Sequence, residues 1–211
     1  MNNKSITLIW DLDGTLLDSY DVILDSIEEV SKKHHYPFDR DAVYKEVITY
    51  SVNHYLINLA DKYRVSFDAL KNECTAISRS NRLNIKAISH AVDTLRLLKE
   101  KGISNFVFTH RGVTTVEVLK NTGLYDYFIE IVSSLNGFNR KPDPSGINYL
   151  IDKYHLDKAN TYYVGDRTID IECACNAGIK SILYLPRDGV TIPTGKETYI
   201  VDDLIKIVNL F

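Results

Sequence analysis

The segment IWDLDGTLLDS, Ile9 to Ser19, constrains this chain more than any other. An apolar run, Ile6-Thr7-Leu8-Ile9-Trp10, stops at Asp11, and Asp13 follows one residue later. The run reads as a buried strand. Its end therefore carries two like-charged carboxylates to the margin of a core, where they repel unless something compensates them. Alternation puts residues i and i+2 on one side of an extended chain, so Asp11 and Asp13 can serve one site in two roles. Gly14 lets the backbone turn away beneath them. An Asp-x-Asp start could also open a calcium loop, but position six of that loop falls on Leu16 and position twelve carries no glutamate. Asp13-Gly14 taken alone could be a plain solvated turn.

The elements that follow set the fold class. Ile23, Ile27 and Val30 have helical spacing within Asp18 to His35, and Pro37 marks a stop. Residues from Asp41 to about Arg82 read as further helix in two or more pieces, with no strand pattern between them. The pattern then changes to alternation. Ile88, Val92, Leu95 and Leu98 form a helical stripe ended by Gly102. Phe106 to Phe108 is a strand, a helix runs on to Gly123, and Phe128 to Val132 is a weaker strand. Pro144 stands at the first position of another helix. Thr161 to Val164 is a strand, Thr168 to Ala177 a helix, Ser181 to Leu185 a strand, and Leu204, Ile205 and Val208 belong to a last helix. A strand, a block of helices, then strand-helix alternation implies an α/β fold. Its parallel sheet would lie in residues 1–15 and 87–211, with a helical insertion over residues 16–86.

Ligands of open parallel sheets bind beyond the carboxyl ends of the strands. Those ends carry Asp11 and Asp13, then Thr109, His110 and Arg111, then Asp166 with Asp170 one helical turn later. Lys141 precedes the helix begun at Pro144. Four clustered carboxylates call for a cation, and hard oxygen ligands suit Mg2+. With Lys141 and the Thr109 hydroxyl, such a site would receive a phosphoryl group. Asp11 is then the expected nucleophile and Asp13 the general acid and base. The His110 amide is expected to face phosphate. Arg111 could bind an anionic substrate group or an insertion residue, or form a structural salt bridge. Arg140 and Arg167 read as surface charges, and His34, His35, His90 and His155 as helix-surface or helix-end residues without a metal.

The segments IWDLDGTLLDS, FVFTH, RKPDP and VGDRTID resemble, in order and spacing, the four motifs of the haloacid-dehalogenase-like hydrolases. The resemblance spans the whole chain, because the insertion is similar to the helical cap of the phosphoglycolate-phosphatase and β-phosphoglucomutase branch. It implies a modified Rossmann core and a Mg2+-dependent phosphatase of a small phosphomonoester such as phosphoglycolate, a sugar phosphate or a nucleotide. It also implies an aspartyl-phosphate on Asp11 and phosphate contacts from Thr109 and Lys141. Asp11, the Asp13 carbonyl and Asp166 would hold the metal, with Asp170 behind them. The cap would close over the site, with Lys45, Tyr50, Ser51, Asn53 and His54 as candidates for specificity.

A phosphomutase of the β-phosphoglucomutase kind is the main alternative. A catalytically silent phosphate-binding module comes after it. A dehalogenase lacks the acid and base represented here by Asp13, and a phosphonatase would need a Schiff-base lysine such as Lys32, Lys33 or Lys45.

Composition excludes several other classes. The net charge of -3 gives no electrostatic reason to expect nucleic acid or a membrane surface as partner. No apolar run approaches the roughly 18 residues of a membrane span, and the stretch MNNKSITLIW lacks an h-region before the first acidic residue. Cys74, Cys173 and Cys175 have no zinc spacing and read as small core fillers of a reduced, cytoplasmic protein. The oligomeric state stays open, with a monomer favoured.

Overall fold

The computed structural model describes residues 5–186 and 189–211. The chain divides into two compact units, Met1–Asp18 with Lys86–Phe211, and Ser19–Ile85. In chain order the regular elements begin with β1 (Thr7–Trp10), β2 (Leu17–Asp18), α1 (Tyr20–Lys33), α2 (Arg40–Thr49), α3 (Val52–Tyr63) and α4 (Phe67–Ser80). They continue with β3 (Lys86–Ala87), α5 (Ala91–Glu100), β4 (Ser104–Phe108), α6 (Thr115–Asn121), β5 (Ile131–Val132) and α7 (Ser145–Tyr154). The last are β6 (Thr161–Gly165), α8 (Thr168–Ala177), β7 (Lys180–Tyr184) and β8 (Tyr199–Val201).

Six strands form one parallel sheet in the order β5-β4-β1-β6-β7-β8. The chain builds outward from β1 through β4 to β5, then crosses to the other side of β1 for β6, β7 and β8. The order reverses at β1, so the carboxyl ends of β1, β4 and β6 lie side by side, which is where such sheets bind ligands. Register follows from this: Trp10 lies between Val107 of β4 and Val164 of β6. All four residues of β1 are buried, as a central parallel strand covered on both faces requires. The buried indole of Trp10 donates to Asn105 Oδ1 at 2.9 Å, and the Asn105 amide donates to the Ile103 carbonyl at 3.2 Å. A polar residue inside the sheet is thus satisfied.

One core cluster joins Ile9, Phe106, Phe108 and Tyr163 of the sheet to Ile147, Leu150 and Ile151 of α7 and Cys173, Ala174 and Ala177 of α8. The second unit has its own core. Leu24, Ile27, Val30, Val43, Val47, Tyr55, Leu56, Leu59, Leu70 and Cys74 bring together the inner faces of α1 to α4. Three of its helices have side-chain N-caps, Asp39 to the Ala42 N–H, Ser51 to His54 and Ser66 to Ala69. Each cap satisfies a donor that the helix geometry leaves open.

Several details depart from the sequence reading. Pro144 is the N-cap of α7, and Ser145 is its first residue. The strand expected from Phe128 shrinks to Ile131–Val132, and the last helix, Leu204–Leu210, is a 3-10 helix. Val92 faces outward, while Ala91, Thr94, Leu95 and Leu98 form the buried stripe of α5. Cys74 and Cys173 are buried but Cys175 is exposed. The antiparallel pair β2 and β3, two residues each, carries too little pattern to be seen in sequence, and in β8 both Tyr199 and Ile200 are exposed.

Gly146 packs α7 directly onto the sheet, because a Cβ there would fall 2.7 Å from two atoms of the buried Phe108 ring. Gly146→Ala therefore lowers stability by about 1–3 kcal/mol through overpacking, although alanine is the better helix former. Urea unfolding of the two proteins measures this.

Candidate active site

Each strand end places its charged group for a local reason. Asp11 continues the β1 ladder by donating its N–H to the Val164 carbonyl at 2.8 Å, which fixes its carboxylate at the junction of β1 and β6. The chain then turns tightly: the Leu12 carbonyl accepts from Thr15, Leu16 and Leu17, and Gly14 adopts a φ of 82°, in the left-handed region. The turn aims the Thr15 hydroxyl at Asp166, to whose Oδ1 it donates at 2.8 Å. Gly165 ends β6 so close to α8 that a Cβ would land in the Asp170 carboxyl group. Only glycine lets Asp170 approach the strand end, and the Arg167 N–H donates to its Oδ2 at 3.0 Å.

The result is a group of three buried carboxylates, Asp11, Asp166 and Asp170, each offering an oxygen within 4.8 Å of the others. Lys141 lies among them, fully buried, its Nζ 3.0 Å from Asp11 Oδ1 and 2.6 Å from Asp170 Oδ1. The ammonium also donates to the Tyr163 hydroxyl at 3.0 Å, and that hydroxyl donates to the Phe108 carbonyl at 2.6 Å. Lys141 carries three N–H donors, and all three have partners here.

The charges tune one another. Burial pushes the Asp11 carboxyl upward, but Lys141 and Arg167 outweigh it and hold Asp11 below its ordinary range. Burial works against the charged Lys141, yet Asp11 and Asp170 raise it. Asp170 is raised, because burial exceeds the pull of Lys141. Tyr163 is pushed well above a normal phenol by burial and by Asp11 and Asp170, so it stays protonated.

The other expected residues stand around this group. Thr109 is buried, and its hydroxyl accepts from the Arg111 N–H at 3.2 Å. The His110 ring accepts from the Lys141 backbone N–H at 2.6 Å, which ties the β4 loop to the lysine loop. Burial, with Lys141 and Arg140 nearby, lowers His110 to about 2, so its ring is neutral. The Asp13 carboxylate lies outside the three-carboxylate group and pairs with the Arg111 guanidinium. Arg167, expected at the surface, contributes to the electrostatics of Asp11. Thr15, Tyr163 and Gly165 escaped the sequence reading as site residues. All three lie within or beside the quoted motifs, but their roles depend on contacts across strands. Among the specificity candidates, Ser51 caps α3, Tyr50 stacks on His54 at 4.6 Å, and Lys45 is exposed.

Three carboxylates against one lysine leave an excess of negative charge in a buried, all-oxygen donor set. That fits a hard divalent cation and no softer metal. Asp11, Asp166 and Asp170 are the side chains that would hold it.

A family model described as haloacid dehalogenase-like hydrolase matches residues 8–184. A phosphoglycolate phosphatase of Vibrio vulnificus is 25% identical over 224 residues, covering 100% of this chain and 98% of that protein. The pyrophosphatase PpaX of Bacillus pumilus is 28% identical over 185 residues, covering 86% of this chain and 84% of its own length. The crystal structure of a predicted phosphoglycolate phosphatase from Haemophilus somnus superposes with a TM-score of 0.86 at 22% identity, covering 100% of this chain and 99% of the other. At that identity it speaks to the fold alone.

Two outcomes follow from the geometry. Lys141→Met strands the buried carboxylates without their cation, so the metal-free protein loses about 3–5 kcal/mol. An added divalent cation recovers part of the loss, as urea unfolding with and without EDTA reports. The second concerns pH. Folded His110 stays neutral down to about 2, while the unfolded ring titrates near 6.5. The unfolded state thus takes up the proton as pH falls, and stability drops below about pH 6.5. Between pH 7 and 5 the native protein loses about 2 kcal/mol more than His110→Gln does in the same unfolding assay.

Proposed function

The chain belongs to the haloacid dehalogenase-like hydrolases and is a phosphatase of that family, and from this premise we propose that it hydrolyses a small phosphomonoester with Mg2+ as cofactor. Asp11 attacks phosphorus, the bond to the leaving oxygen breaks, and the phosphoryl group is held on Asp11 as an aspartyl-phosphate. Asp13 gives a proton to the leaving oxygen and then takes one from the water that hydrolyses the intermediate. Lys141 offsets phosphoryl charge, and Thr109 with the His110 amide supplies donors to its oxygens. Bound Mg2+ would be held by Asp11, Asp166, Asp170 and the Asp13 carbonyl, and it would supply charge neutralisation for the phosphoryl oxygens.

The observation that carries this reading is the separation of the two carboxylates. Asp11 is 2% exposed and held against Lys141, while the Asp13 side chain is 23% exposed and held by a different cation, Arg111. A nucleophile needs the first environment, where its charge is kept. A proton carrier needs the second, where leaving group and water can arrive.

The substrate class comes from the relatives: one is named for phosphoglycolate and another for pyrophosphate. Phosphoglycolate, a sugar phosphate or a nucleotide are the candidates, and a reduced, cytoplasmic setting fits three free cysteines. The test is phosphate release from a panel of such esters, with Mg2+ and with EDTA. Release stops in EDTA, Asp11→Asn reduces it by at least about a thousandfold, and Asp13→Asn slows it by ~10²–10⁴. Isomerised product without net release would point to a mutase instead.

A further inference from the structure

We propose that Tyr163 is a positioning residue of the reaction: its hydroxyl fixes the Lys141 ammonium against Asp11, so that the rate depends on a group that does not touch substrate. The inference rests on the phosphatase reading above and adds to it a residue just outside the quoted motifs. Tyr163 is fully buried in β6. Phenylalanine would fill the same space and need no polar partner, so the hydroxyl is explained by what it bonds. It has a single proton, which it donates to the Phe108 carbonyl at 2.6 Å. Toward Lys141 it can therefore only accept, and it does so from Nζ at 3.0 Å. Burial, with Asp11 and Asp170 nearby, keeps the phenol protonated and this direction of bonding in place.

The lysine is thereby held at both ends. Its backbone N–H donates to the His110 ring at 2.6 Å. Its ammonium is held by Asp11, Asp170 and Tyr163, of which Tyr163 is the one neutral partner. A carboxylate changes its partners when it attacks phosphorus or binds a cation. The hydroxyl is tied to a strand carbonyl and keeps its place. Without it, only the pull of the two carboxylates sets where the ammonium rests. Phe108 precedes Thr109, so the same hydroxyl joins the lysine to the strand end that carries a phosphate donor. Lys141 Nζ also lies 5.3 Å from the centroid of the Tyr163 ring and 5.9 Å from that of Phe108. Tyr163→Phe keeps both rings and removes the hydroxyl alone.

The experiment measures kcat and KM for the ester of the panel that the native enzyme hydrolyses fastest. It is run on the native enzyme, Tyr163→Phe and Tyr162→Phe, each with its urea unfolding curve. Tyr162 is the matched control: it precedes Tyr163 in β6, is 4% exposed, and its hydroxyl accepts from a different lysine, Lys180, at 3.1 Å. In Tyr163→Phe kcat is expected to fall about 10- to 100-fold, the range of a hydrogen bond to a charged group. KM stays within about threefold, because the loss falls on the alignment of the nucleophile and not on substrate binding. Tyr162→Phe keeps kcat within about twofold, since it alters no contact of Lys141. A purely structural hydroxyl lowers the urea midpoint of Tyr163→Phe but leaves kcat of the folded protein within about threefold of native. That result overturns the proposal, as does an equal fall in Tyr162→Phe or a loss carried wholly by KM. If Tyr163→Phe does not fold, 3-fluorotyrosine at position 163 keeps the ring and the hydroxyl, weakens the acceptor, and must still lower kcat. Native protein that releases phosphate from no ester of the panel overturns the phosphatase reading, and this inference with it.

Discussion

The ion cluster centred on Lys141 is the interaction on which the rest of the site depends. Its ammonium lies 3.0 Å from Asp11 and 2.6 Å from Asp170, with every participant buried. An isolated charge in that environment would be strongly unfavourable. Each member is therefore held by several partners: Asp11 by the β1 ladder, Asp166 by Thr15, Asp170 by the Arg167 N–H, and Lys141 by the Tyr163 hydroxyl. Removing any one member leaves its buried partners uncompensated.

Sheet topology makes the set possible. Strand order reverses at β1, so residues more than a hundred positions apart in sequence meet at one edge. Packing then sets the last few ångströms. Gly165 permits Asp170 to approach, Gly146 brings α7 onto Phe108, and the Phe108 carbonyl anchors the Tyr163 hydroxyl that braces the lysine. A change in the core beneath the site therefore reaches the charged groups at the strand ends through contacts a few bonds long.

Much of this was legible in the sequence because the relevant signals are local. Short apolar runs that stop just before Asp11, Thr109 and the Gly165-Asp166 pair mark strands and their carboxyl ends. Helical spacing of apolar residues marks the insertion. Pairing partners are not local. Nothing in the sequence says that Arg111 meets Asp13, that His110 accepts from the Lys141 backbone, or that Arg167 bears on Asp11. The short pair β2 and β3 and the 3-10 helix Leu204–Leu210 were missed or misread because few residues carry little periodicity.

By itself the sequence determined the α/β class, the inserted block of helices and the identity of the charged groups at the strand ends, since hydrophobic period and residue chemistry are properties of neighbours along the chain. Only the tertiary structure decided which carboxylates share a cation and which stands apart. It gathered Asp11, Asp166 and Asp170 around Lys141 and gave Asp13 to Arg111. The reason is physical: electrostatic pairing falls off within a few ångströms and depends on burial, and both quantities exist only once distant segments have packed.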